Sequence, residues 1–433
     1  MRRSQRCWRC AGGIGPMKRL RGWNPFYMGK SRSLSYIETK DEGGKQDPMK
    51  KRLLYVVNDP RYFVTHRLPL AHRVVEEGYE VHIALPFETA ALPASKDLEL
   101  ITSNQIKAHN IPLSRSGTNP YNEIKTIIHL NRIIREIQPD VIHGITIKAV
   151  LYSGILSLNR KQTAAVFAIP GLGHVFIANG LKAKLIRFLA SNWYRLVFRN
   201  SRAIAIFQNE FDSEYFVRNR YLKSEQIILI PGCGVDIEKF HPSPKEPSEP
   251  IVVMLPARLQ VDKGVQDFVD AAAILKNKGL QVRMVLVGYA DFDRPGGVTE
   301  EQLKRWQNEY SVEWWGHSTN MPATLQKAHI ICLPSHGGEG FPKVLIEAAA
   351  CGLPIVTTNI PGCRDSVRKN QTALIVEPKN PIQLADALET FITAPELRAR
   401  FGAAGRELVK QHYTEPMFIN RSLEVYKRVL QLT

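Results

Sequence analysis

Two glutamates eight positions apart, Glu339 and Glu347, stand in the glycine-rich stretch SHGGEGFPKVLIEAAACGLPIVTT at residues 335–358. Pro342 suits the first position of a helix and Gly352 suits its far end, so the sequence predicts a helix between them. The bare amides and the positive dipole end of such a helix favour an anion, for example a nucleotide diphosphate. The spacing alone also allows a plainer alternative, in which acidic side chains near a helix start only stabilise its dipole.

Two cations, Arg258 and Lys263, stand in the segment LPARLQVDKG, where a predicted strand of the second half of the chain ends. A guanidinium offers a planar fork and an ammonium offers a point charge, and both suit the oxygens of a diphosphate. We therefore expect Arg258 and Lys263 to face a diphosphate. A pair of solvated surface cations is the alternative.

The elements that must position these side chains alternate between strand and helix. LLYVVN and EVHIALP flank a helical segment in the first half, and the alternation restarts at IVVMLPARL after a proline-rich break. This α/β pattern predicts parallel sheets with right-handed crossovers, and 433 residues, 44% of them hydrophobic, suffice for two such domains. Ligands of open α/β sheets bind at the carboxyl ends of the strands, where the loops of interest fall. The predicted units are a leader (1–48), an N-terminal domain (49–239), a linker (240–250), a C-terminal domain (251–412) and a C-terminal helix (413–433) that packs back on the N-terminal domain.

One helix of the first half is predicted from its apolar spacing. Before the strand DVIHGI, five residues recur at helical intervals and form one apolar stripe. They are Ile124, Ile127, Leu130, Ile134 and Ile137.

Residues 1–48 are rich in arginine and contain no apolar segment of the length that a secretory signal needs. We expect a disordered or non-native leader, with the folded chain starting at Met49. No run of 18 apolar residues occurs in the sequence, which argues against a transmembrane helix. Six scattered cysteines favour a reducing compartment over a disulfide framework.

The second half carries the motifs P-A-R-L-x-x-x-K-G, L-V-G, W-G-H and P-S-x-x-x-E-G-F-P-K-V-L-x-E-A-x-A-C-G-x-P-I-V, in this order. With these motifs the sequence resembles the retaining glycosyltransferases of family 4, over roughly residues 50 to 430. The resemblance implies the GT-B fold, in which two Rossmann-like doubly wound domains face each other across a cleft. Within this family, the sequence is similar to the subgroup that extends lipid-linked bacterial polysaccharide or glycan precursors, often from UDP-N-acetylhexosamines. The segments that carry this similarity are VEWWGH, PGLGHVF and IPGCRD.

The resemblance also implies a role for each residue of the donor site. Arg258 and Lys263 would hold the donor diphosphate. Glu347 would bind the nucleoside ribose, and Glu339 would be the catalytic carboxylate at the donor hexose, near the reacting carbon. The family is expected to retain the anomeric configuration through front-side attack, with no required metal and no cofactor besides the UDP-sugar donor. Further donor contacts are expected from Gly288, Gly340, Phe341 and Lys343.

The first half departs from the family pattern in two places. Its first strand leads into NDPRYFVTHRLPLA instead of a Gly-Gly loop, so Thr65 and His66 are the candidates for that side of the cleft. His143 stands alone where a paired His-x-His is common, and we expect either a polarising catalytic group or a structural histidine. GLGHVF lacks the third glycine of a dinucleotide fingerprint, which disfavours a nicotinamide enzyme. Other residues expected on the acceptor side are Gly171, Gly173 and Asn209.

The segment between Asp140 and Glu210 contains nine cations and no acidic residue. Within it, GLKAKLIRFLASNWYRLVFRN interleaves cations with aliphatic and aromatic residues, a pattern typical of helices at anionic membrane surfaces. A solvated basic face is the alternative; nucleic acid would suit the net charge of +17, but no nucleic-acid-binding signature accompanies it. The residues expected to contact the membrane are Lys182, Lys184, Arg187, Trp193, Arg195 and Arg199.

Together with the basic segment, the resemblance implies a glycosyltransferase bound peripherally to the cytoplasmic face of a bacterial inner membrane. It would move a sugar, expected to be an N-acetylhexosamine, from a UDP-sugar to a saccharide on a polyprenyl diphosphate such as undecaprenyl diphosphate. Such a reaction belongs to the biosynthesis of O-antigen, other surface polysaccharides or glycans. The alternatives are a GT-B nucleotide-sugar epimerase or hydrolase, and a glycosyltransferase with a soluble acceptor.

Overall fold

The computed structural model describes residues 50–431, except for 90–91, 94, 115–118, 174–175, 177–179, 245–248 and 291–295, and except for the side chains of residues 88–95 and 182. The predicted leader lies outside the described residues, as does part of the predicted linker. The element numbers below refer to the described part of the chain.

A parallel sheet organises the first half of the chain, residues 50–239. The strands are β1 Arg52–Val57, β2 Glu80–Leu85, β3 Glu88–Thr89, β4 Leu92–Pro93, β5 Lys107–Asn110, β6 Val141–Ile145, β7 Ala164–Ile169, β8 Ala203–Phe207 and β9 Ile227–Leu229. Apart from the small antiparallel pair β3 and β4, they form one parallel sheet in the order β5-β2-β1-β6-β7-β8-β9. The helices are α1 Pro60–His66, α2 Leu68–Glu76, α3 Ser95–Ser103, α4 Pro120–Ile137, α5 Ile147–Ser157, α6 Leu181–Val197 and α7 Glu210–Arg218, with a 3-10 turn at Ser224–Gln226.

Helices cover both faces of this sheet, because crossovers between parallel strands are right-handed. From β1 the chain moves outward to β5 with α1, α2 and α3 on one face. From β5 it moves back past β1 to β9 with α4, α5, α6 and α7 on the other face. Since each of these helices returns the chain against the strand direction, their N-termini lie at the carboxyl edge of the sheet.

In α4 the periodicity prediction was wrong at one position. Four residues of the predicted stripe are buried or half-buried against the sheet, but Ile124 is 58% exposed. At about 100° per residue, Ile124 falls outside the sector of the helix that faces the core. It shares the outer side of α4 with Tyr121 and Ile128.

A second parallel sheet organises residues 251–433. Its strands are β10 Ile251–Pro256, β11 Val282–Val287, β12 Val312–Trp314, β13 Ile330–Leu333, β14 Ile355–Thr358 and β15 Ala373–Val376, in the order β12-β11-β10-β13-β14-β15. The helices are α8 Val265–Asn277, α9 Glu300–Tyr310, α10 Met321–Leu325, α11 Lys343–Ala350, α12 Pro361–Asp365, α13 Pro381–Thr393, α14 Pro395–His412 and α15 Glu415–Gln431, with a 3-10 turn at Val261–Lys263. The predicted α/β fold with two doubly wound parallel sheets is confirmed.

The chain passes between the two sheets twice. After β9, Val235 forms an isolated bridge with Thr414, and Phe240 already packs in the core of the second sheet. At the far end, α15 packs on the first sheet, where Phe418 and Tyr426 share a core with α2 and β1. The two segments that connect the sheets therefore pair with each other, through Val235 and Thr414.

Candidate active site

Lys263 and Glu339 form an ion pair at the carboxyl edge of the second sheet. The loop after β10 carries Lys263 to the end of a 3-10 turn, where its Nζ lies 2.7 Å from Glu339 Oε1. Gly264 permits this approach, since its φ is +69° and an added Cβ would lie 1.9 Å from the carbonyl oxygen of Pro334. The two side chains are 12% and 14% exposed, so the pair is shielded from most of the solvent.

The surroundings of Lys263 favour its charged form. Burial lowers the pKa of Lys263, but the charges of Glu339 and Asp262 and the hydrogen bond to Glu339 outweigh it and raise the pKa above its ordinary value. Ser335 Oγ donates a hydrogen bond to the same Glu339 oxygen over 2.7 Å. One carboxylate oxygen thus accepts from an ammonium and a hydroxyl, which holds it in one place.

Arg258 and Gly288 lie beside this pair. Arg258 is exposed in the loop after β10, and its charge is close enough to oppose the protonation of Lys263. Gly288 follows β11 and packs on the same loop, since an added Cβ would lie 1.8 Å from the carbonyl oxygen of Ala257. The structure therefore brings Arg258, Lys263 and Gly288 to one edge; their roles in donor binding stay predictions.

Gly340 touches the first half of the chain. An added Cβ on Gly340 would lie 1.5 Å from the carbonyl oxygen of Pro170, just after β7. Gly171 lies against the same backbone, and Asn209 Nδ2 donates to the Gly340 carbonyl over 2.8 Å. The segment that carries Glu339 is therefore held at the boundary between the two sheets, where only a glycine fits at position 340.

Lys343 and Glu347 form a second pair, one turn apart on α11. As predicted, α11 follows Pro342, and Gly352 stands just past its end with φ +70°. Lys343 Nζ lies 3.4 Å from Glu347 Oε1 and donates to the carbonyl of Thr65 over 2.8 Å. Burial raises the pKa of Glu347, although the charge of Lys343 opposes the shift. This pair also borders the first half, through the end of α1.

His66 lies next to Thr65 at the end of α1. Its ring stacks on Tyr62 with the centroids 4.3 Å apart, and its Nδ1 lies 2.7 Å from Thr65 Oγ1. Burial lowers the pKa of His66 to about 3, and the positive charges of Lys343 and Arg67 act in the same direction. The imidazole is therefore neutral at pH 7 and available for hydrogen bonds to neutral hydroxyl groups.

His143 lies in the core, which corrects the expectation of a catalytic role. The side chain is 1% exposed in the middle of β6, and its Nδ1 lies 2.6 Å from Tyr426 Oη on α15. The Tyr426 hydroxyl lies in turn 3.1 Å from Tyr55 Oη. Burial lowers the pKa of His143 well below its ordinary value. A neutral ring enclosed between β6 and α15 does not reach a substrate, so His143 is a structural histidine.

Gly173 and Phe341 pack closely against neighbouring side chains. Gly173 has φ +69°, and an added Cβ would lie 3.0 Å from the Ile147 side chain at the start of α5. The buried Phe341 ring packs edge-on against Tyr413 with the centroids 5.1 Å apart. Gly232 lies directly against the same ring, since its added Cβ would be 2.8 Å from Phe341 Cδ1. Phe341 thus fixes the chain after Gly340 through packing.

Sequence reasoning missed several partners of the predicted residues. Ser335, which bonds to Glu339, was part of the quoted motif but had no role there. Arg61 in α1 contacts the ring Nε2 of His317, the histidine of W-G-H, and this contact also joins the two halves. Both side chains stand in segments that the sequence singled out, NDPRYF and VEWWGH. Nothing in either segment shows that they face each other.

The predicted membrane segment forms α6, which exposes an apolar side. Leu181, Leu185, Phe188 and Leu189 are large apolar residues with more than half of their surface exposed, all in the N-terminal half of the helix. No helix in the described part of the chain combines the length and apolar composition needed to cross a membrane.

The six residues predicted for membrane contact differ in their surroundings. Lys184 and Arg199 are exposed, Arg187 is half-buried, and the side chain of Lys182 lies outside the described atoms. Trp193 is half-buried beside Tyr152 of α5. Arg195 is exposed but lies over the Tyr221 ring and donates to Asn192 Oδ1. Lys184 and Arg195 stand on the same helix as the exposed apolar side chains, and Arg199 follows just past its end.

The charges at the boundary suit a phosphorylated sugar. Two cations and a helix N-terminus are suited to a diphosphate, and a carboxylate beside them is suited to a sugar that develops positive charge. Among the residues that the structure describes, no cluster of three or more His, Cys, Asp or Glu side chains is arranged to hold a metal ion.

Comparisons with known proteins place the chain in a family. One family model, described as glycosyl transferases group 1, matches residues 236–408, and another, described as glycosyl transferase 4-like, matches residues 52–209. The N,N'-diacetylbacillosaminyl-diphospho-undecaprenol alpha-1,3-N-acetylgalactosaminyltransferase of Campylobacter jejuni is 29% identical over 84% of this chain and 95% of its own length. The UDP-Gal:alpha-D-GlcNAc-diphosphoundecaprenol alpha-1,3-galactosyltransferase of Escherichia coli is 23% identical over 63% of this chain and 72% of its own.

The fold agrees with solved structures. Anabaena HepE in complex with UDP and glucose superimposes with a TM-score of 0.72 at 19% identity, over 87% of this chain and 100% of that chain. At this identity the likeness shows the fold alone. Motifs, family models and fold agree, and the chain belongs to the family 4-like glycosyltransferases of the GT-B fold.

Proposed function

We propose that this glycosyltransferase moves an N-acetylhexosamine from a UDP-sugar to a saccharide on a polyprenyl diphosphate, with retention of the anomeric configuration. The proposal rests on the ion pair of Lys263 and Glu339, held where the two sheets meet. The names of both relatives support the acceptor class, since each contains a diphospho-undecaprenol acceptor, and one names UDP-Gal. The more similar of the two transfers N-acetylgalactosamine, which supports an N-acetylhexosamine here.

In the proposed donor complex, the diphosphate binds to Lys263 and Arg258. The Lys263 ammonium exchanges the Glu339 carboxylate for a phosphate oxygen, which leaves Glu339 facing the hexose. The amides at the start of α11 add the positive end of a helix dipole. Glu347, one turn into that helix, accepts hydrogen bonds from the ribose hydroxyls. Gly288 and Gly340 keep the backbone around the donor free of side chains.

The reaction exchanges one bond at the anomeric carbon for another. The acceptor hydroxyl oxygen bonds to that carbon on the face from which UDP leaves, the bond to the diphosphate oxygen breaks, and the hydroxyl proton passes to the diphosphate. Negative charge grows on the leaving group, so Lys263 and Arg258 stabilise the transition state more than the ground state. The Glu339 carboxylate stabilises the positive sugar ring. Because side chains supply these charges, we propose no metal and no further cofactor.

We propose peripheral binding to the cytoplasmic face of a bacterial inner membrane through α6. The lipid of the acceptor stays in the bilayer, so the cleft must be presented near the headgroups. Leu185 and Phe188 are exposed for insertion, and cations such as Lys184 add about 1 kcal/mol each at an anionic surface. A triple variant, Lys182→Glu, Lys184→Glu and Arg187→Glu, should therefore sediment less with anionic vesicles at low salt. Equal sedimentation of variant and parent would contradict docking by α6.

A donor and acceptor panel tests the reaction. Purified enzyme is incubated with labelled UDP-N-acetylgalactosamine, UDP-N-acetylglucosamine, UDP-galactose or GDP-mannose, and with a saccharide either linked to polyprenyl diphosphate or free in solution. The proposal predicts label in the lipid extract with a UDP-N-acetylhexosamine. Label only in the free saccharide would instead indicate a soluble acceptor. Conversion of the donor without transfer would indicate an epimerase or a hydrolase.

A further inference from the structure

A second helix on the same face as α6 also exposes apolar side chains. On the outer side of α4, Tyr121, Ile124 and Ile128 are 73%, 58% and 62% exposed. They are spaced i, i+3 and i+7, which places them on one side of a helix. All three lie in the N-terminal half of α4.

The charge beside these residues is mainly positive. Lys125 and Arg132 are exposed and fall in the same sector of α4 at about 100° per residue. Glu123, the acid nearest to Lys125 in sequence, is engaged elsewhere: Lys148 Nζ donates to it over 2.6 Å, and the Tyr152 hydroxyl donates to its other oxygen. Glu136 is exposed four residues after Arg132, next to a third exposed cation of the helix, Arg135. The outer side of α4 therefore combines large apolar side chains with cations.

The structure shows how α4 lies relative to α6. Tyr152 of α5 contacts both neighbours, through its hydroxyl with Glu123 of α4 and through its ring with Trp193 of α6, at a centroid distance of 6.1 Å. The residues of α5 itself are all buried or half-buried. Two ridges, α4 and α6, thus flank α5, and their apolar side chains lie towards the N-termini, at the carboxyl edge of the sheet. Asn209 and Gly171, which contact Gly340, follow strands at that same edge.

We propose that α4 is a second membrane-docking element, whose Tyr121, Ile124 and Ile128 enter the same anionic phospholipid leaflet as α6. Charge complementarity identifies the occupant, because a bilayer supplies both acyl chains for the isoleucines and phosphates for Lys125 and Arg132. A second copy of the chain would bring two basic faces together. The inference rests on the proposed docking of α6 and extends it. Two ridges that both contact the bilayer fix the orientation of the cleft above it, whereas a single helix would leave the protein free to rotate about that helix.

Vesicle sedimentation of the full chain tests this role of α4. The probes are vesicles of phosphatidylethanolamine with phosphatidylglycerol, and vesicles of phosphatidylcholine alone as the uncharged comparison. Replacing both isoleucines, Ile124→Ser with Ile128→Ser, should weaken partitioning to the anionic vesicles roughly tenfold. Ile124→Leu with Ile128→Leu should bind like the parent. The matched control is Ile382→Ser on α13 of the second half, where the isoleucine is 64% exposed and its loss should change nothing.

A charge variant of α4 tests the same proposal independently of the isoleucines. Lys125→Glu with Arg132→Glu should lose binding to anionic vesicles and leave UDP binding unchanged, since neither side chain is in the donor site. If the α4 variants bind like the parent while the α6 triple variant loses binding, the role of α4 is overturned and the docking of α6 stands. The role of α4 would also be overturned if the parent were a dimer and the double serine variant a monomer. The outer side of α4 would then be the interface with a second copy of the chain. Sedimentation needs no sugar transfer, so failure of the proposed reaction is seen separately.

Discussion

Lys263 Nζ and Glu339 Oε1 lie 2.7 Å apart, although they come from loops that follow different strands of the second sheet. Each residue provides the countercharge of the other, so a change at one alters the state of its partner. A diphosphate carries more negative charge than one carboxylate and competes for the ammonium. This competition leads to different predictions for the two residues.

Replacing Lys263 with alanine should weaken donor binding and turnover together. The ammonium contacts the diphosphate in the ground state and also as it leaves, so its loss acts on both. Since a hydrogen bond to a charged group contributes about 1.5–3 kcal/mol, the Kd for UDP should rise on the order of tenfold or more. Calorimetry with UDP and steady-state kinetics measure the two effects. Lys278→Ala, which removes an exposed lysine paired with Asp386 and Glu389, should change neither.

Replacing Glu339 with glutamine should lower kcat on the order of 100-fold and leave the UDP-sugar affinity equal or tighter. In this variant Lys263 does not have to break an ion pair with residue 339 before it binds the diphosphate. The sugar, however, loses the negative charge that stabilises its transition state. Titration of the donor and single-turnover kinetics separate binding from chemistry. A proportional loss of affinity and kcat would mean that Glu339 serves ground-state binding instead.

Replacing Gly340 with alanine should force the two halves apart. The added Cβ would lie 1.5 Å from the carbonyl oxygen of Pro170, and this backbone contact has no flexible side chain that could yield. We expect transfer to fall at least about tenfold and stability to fall by about 1–3 kcal/mol, as for other overpacked sites. Gly405→Ala in α14 is the control, because its Cβ would meet Ala349 Cβ at an ordinary 3.4 Å. A Gly340→Ala enzyme as active and stable as the parent would rule out this packed boundary.

His66 should make the protein less stable as the pH falls below 6.5. Its pKa is about 3 in the folded chain and 6.5 ordinarily, so between these values the unfolded chain binds a proton that the native state does not. Stability is therefore lost as the pH falls through this window, with a slope of up to about 1.4 kcal/mol per pH unit. Urea unfolding at pH 7, 6 and 5 should show a shallower decline for His66→Asn than for the parent. Parallel declines would mean that His66 titrates normally in the folded state.

Local patterns were sufficient to predict the two sheets and the helix α11. Alternating apolar strands and amphipathic helices mark parallel sheets, and Pro342 and Gly352 mark the ends of α11 because their backbone preferences act locally. The partners of the site residues were not predictable in this way. Arg61 meets His317, and Lys343 meets the Thr65 carbonyl, only because the two sheets are juxtaposed.

The burial of His143 was also not predictable from local sequence patterns. A histidine in a strand that leads towards the ligand edge has the sequence appearance of a catalytic group. The side chain that encloses the His143 ring belongs to Tyr426, which lies 283 residues further along the chain. Ile124 is different, because its exposure follows from the sequence. At about 100° per residue, its position on the helix lies outside the sector that the other four stripe residues share.

The most direct measurement is the transfer of labelled sugar from a UDP-N-acetylhexosamine to a polyprenyl-diphosphate-linked saccharide, with the label counted in the organic extract. It compares the parent with Glu339→Gln at equal donor occupancy, and proton NMR of the parent's product reads the anomeric configuration. The account predicts label in the lipid fraction with the parent, an α linkage from the α-linked donor, and a loss of transfer on the order of 100-fold in the variant. Absence of lipid-linked label with the parent, or equal transfer by the parent and Glu339→Gln, would contradict it.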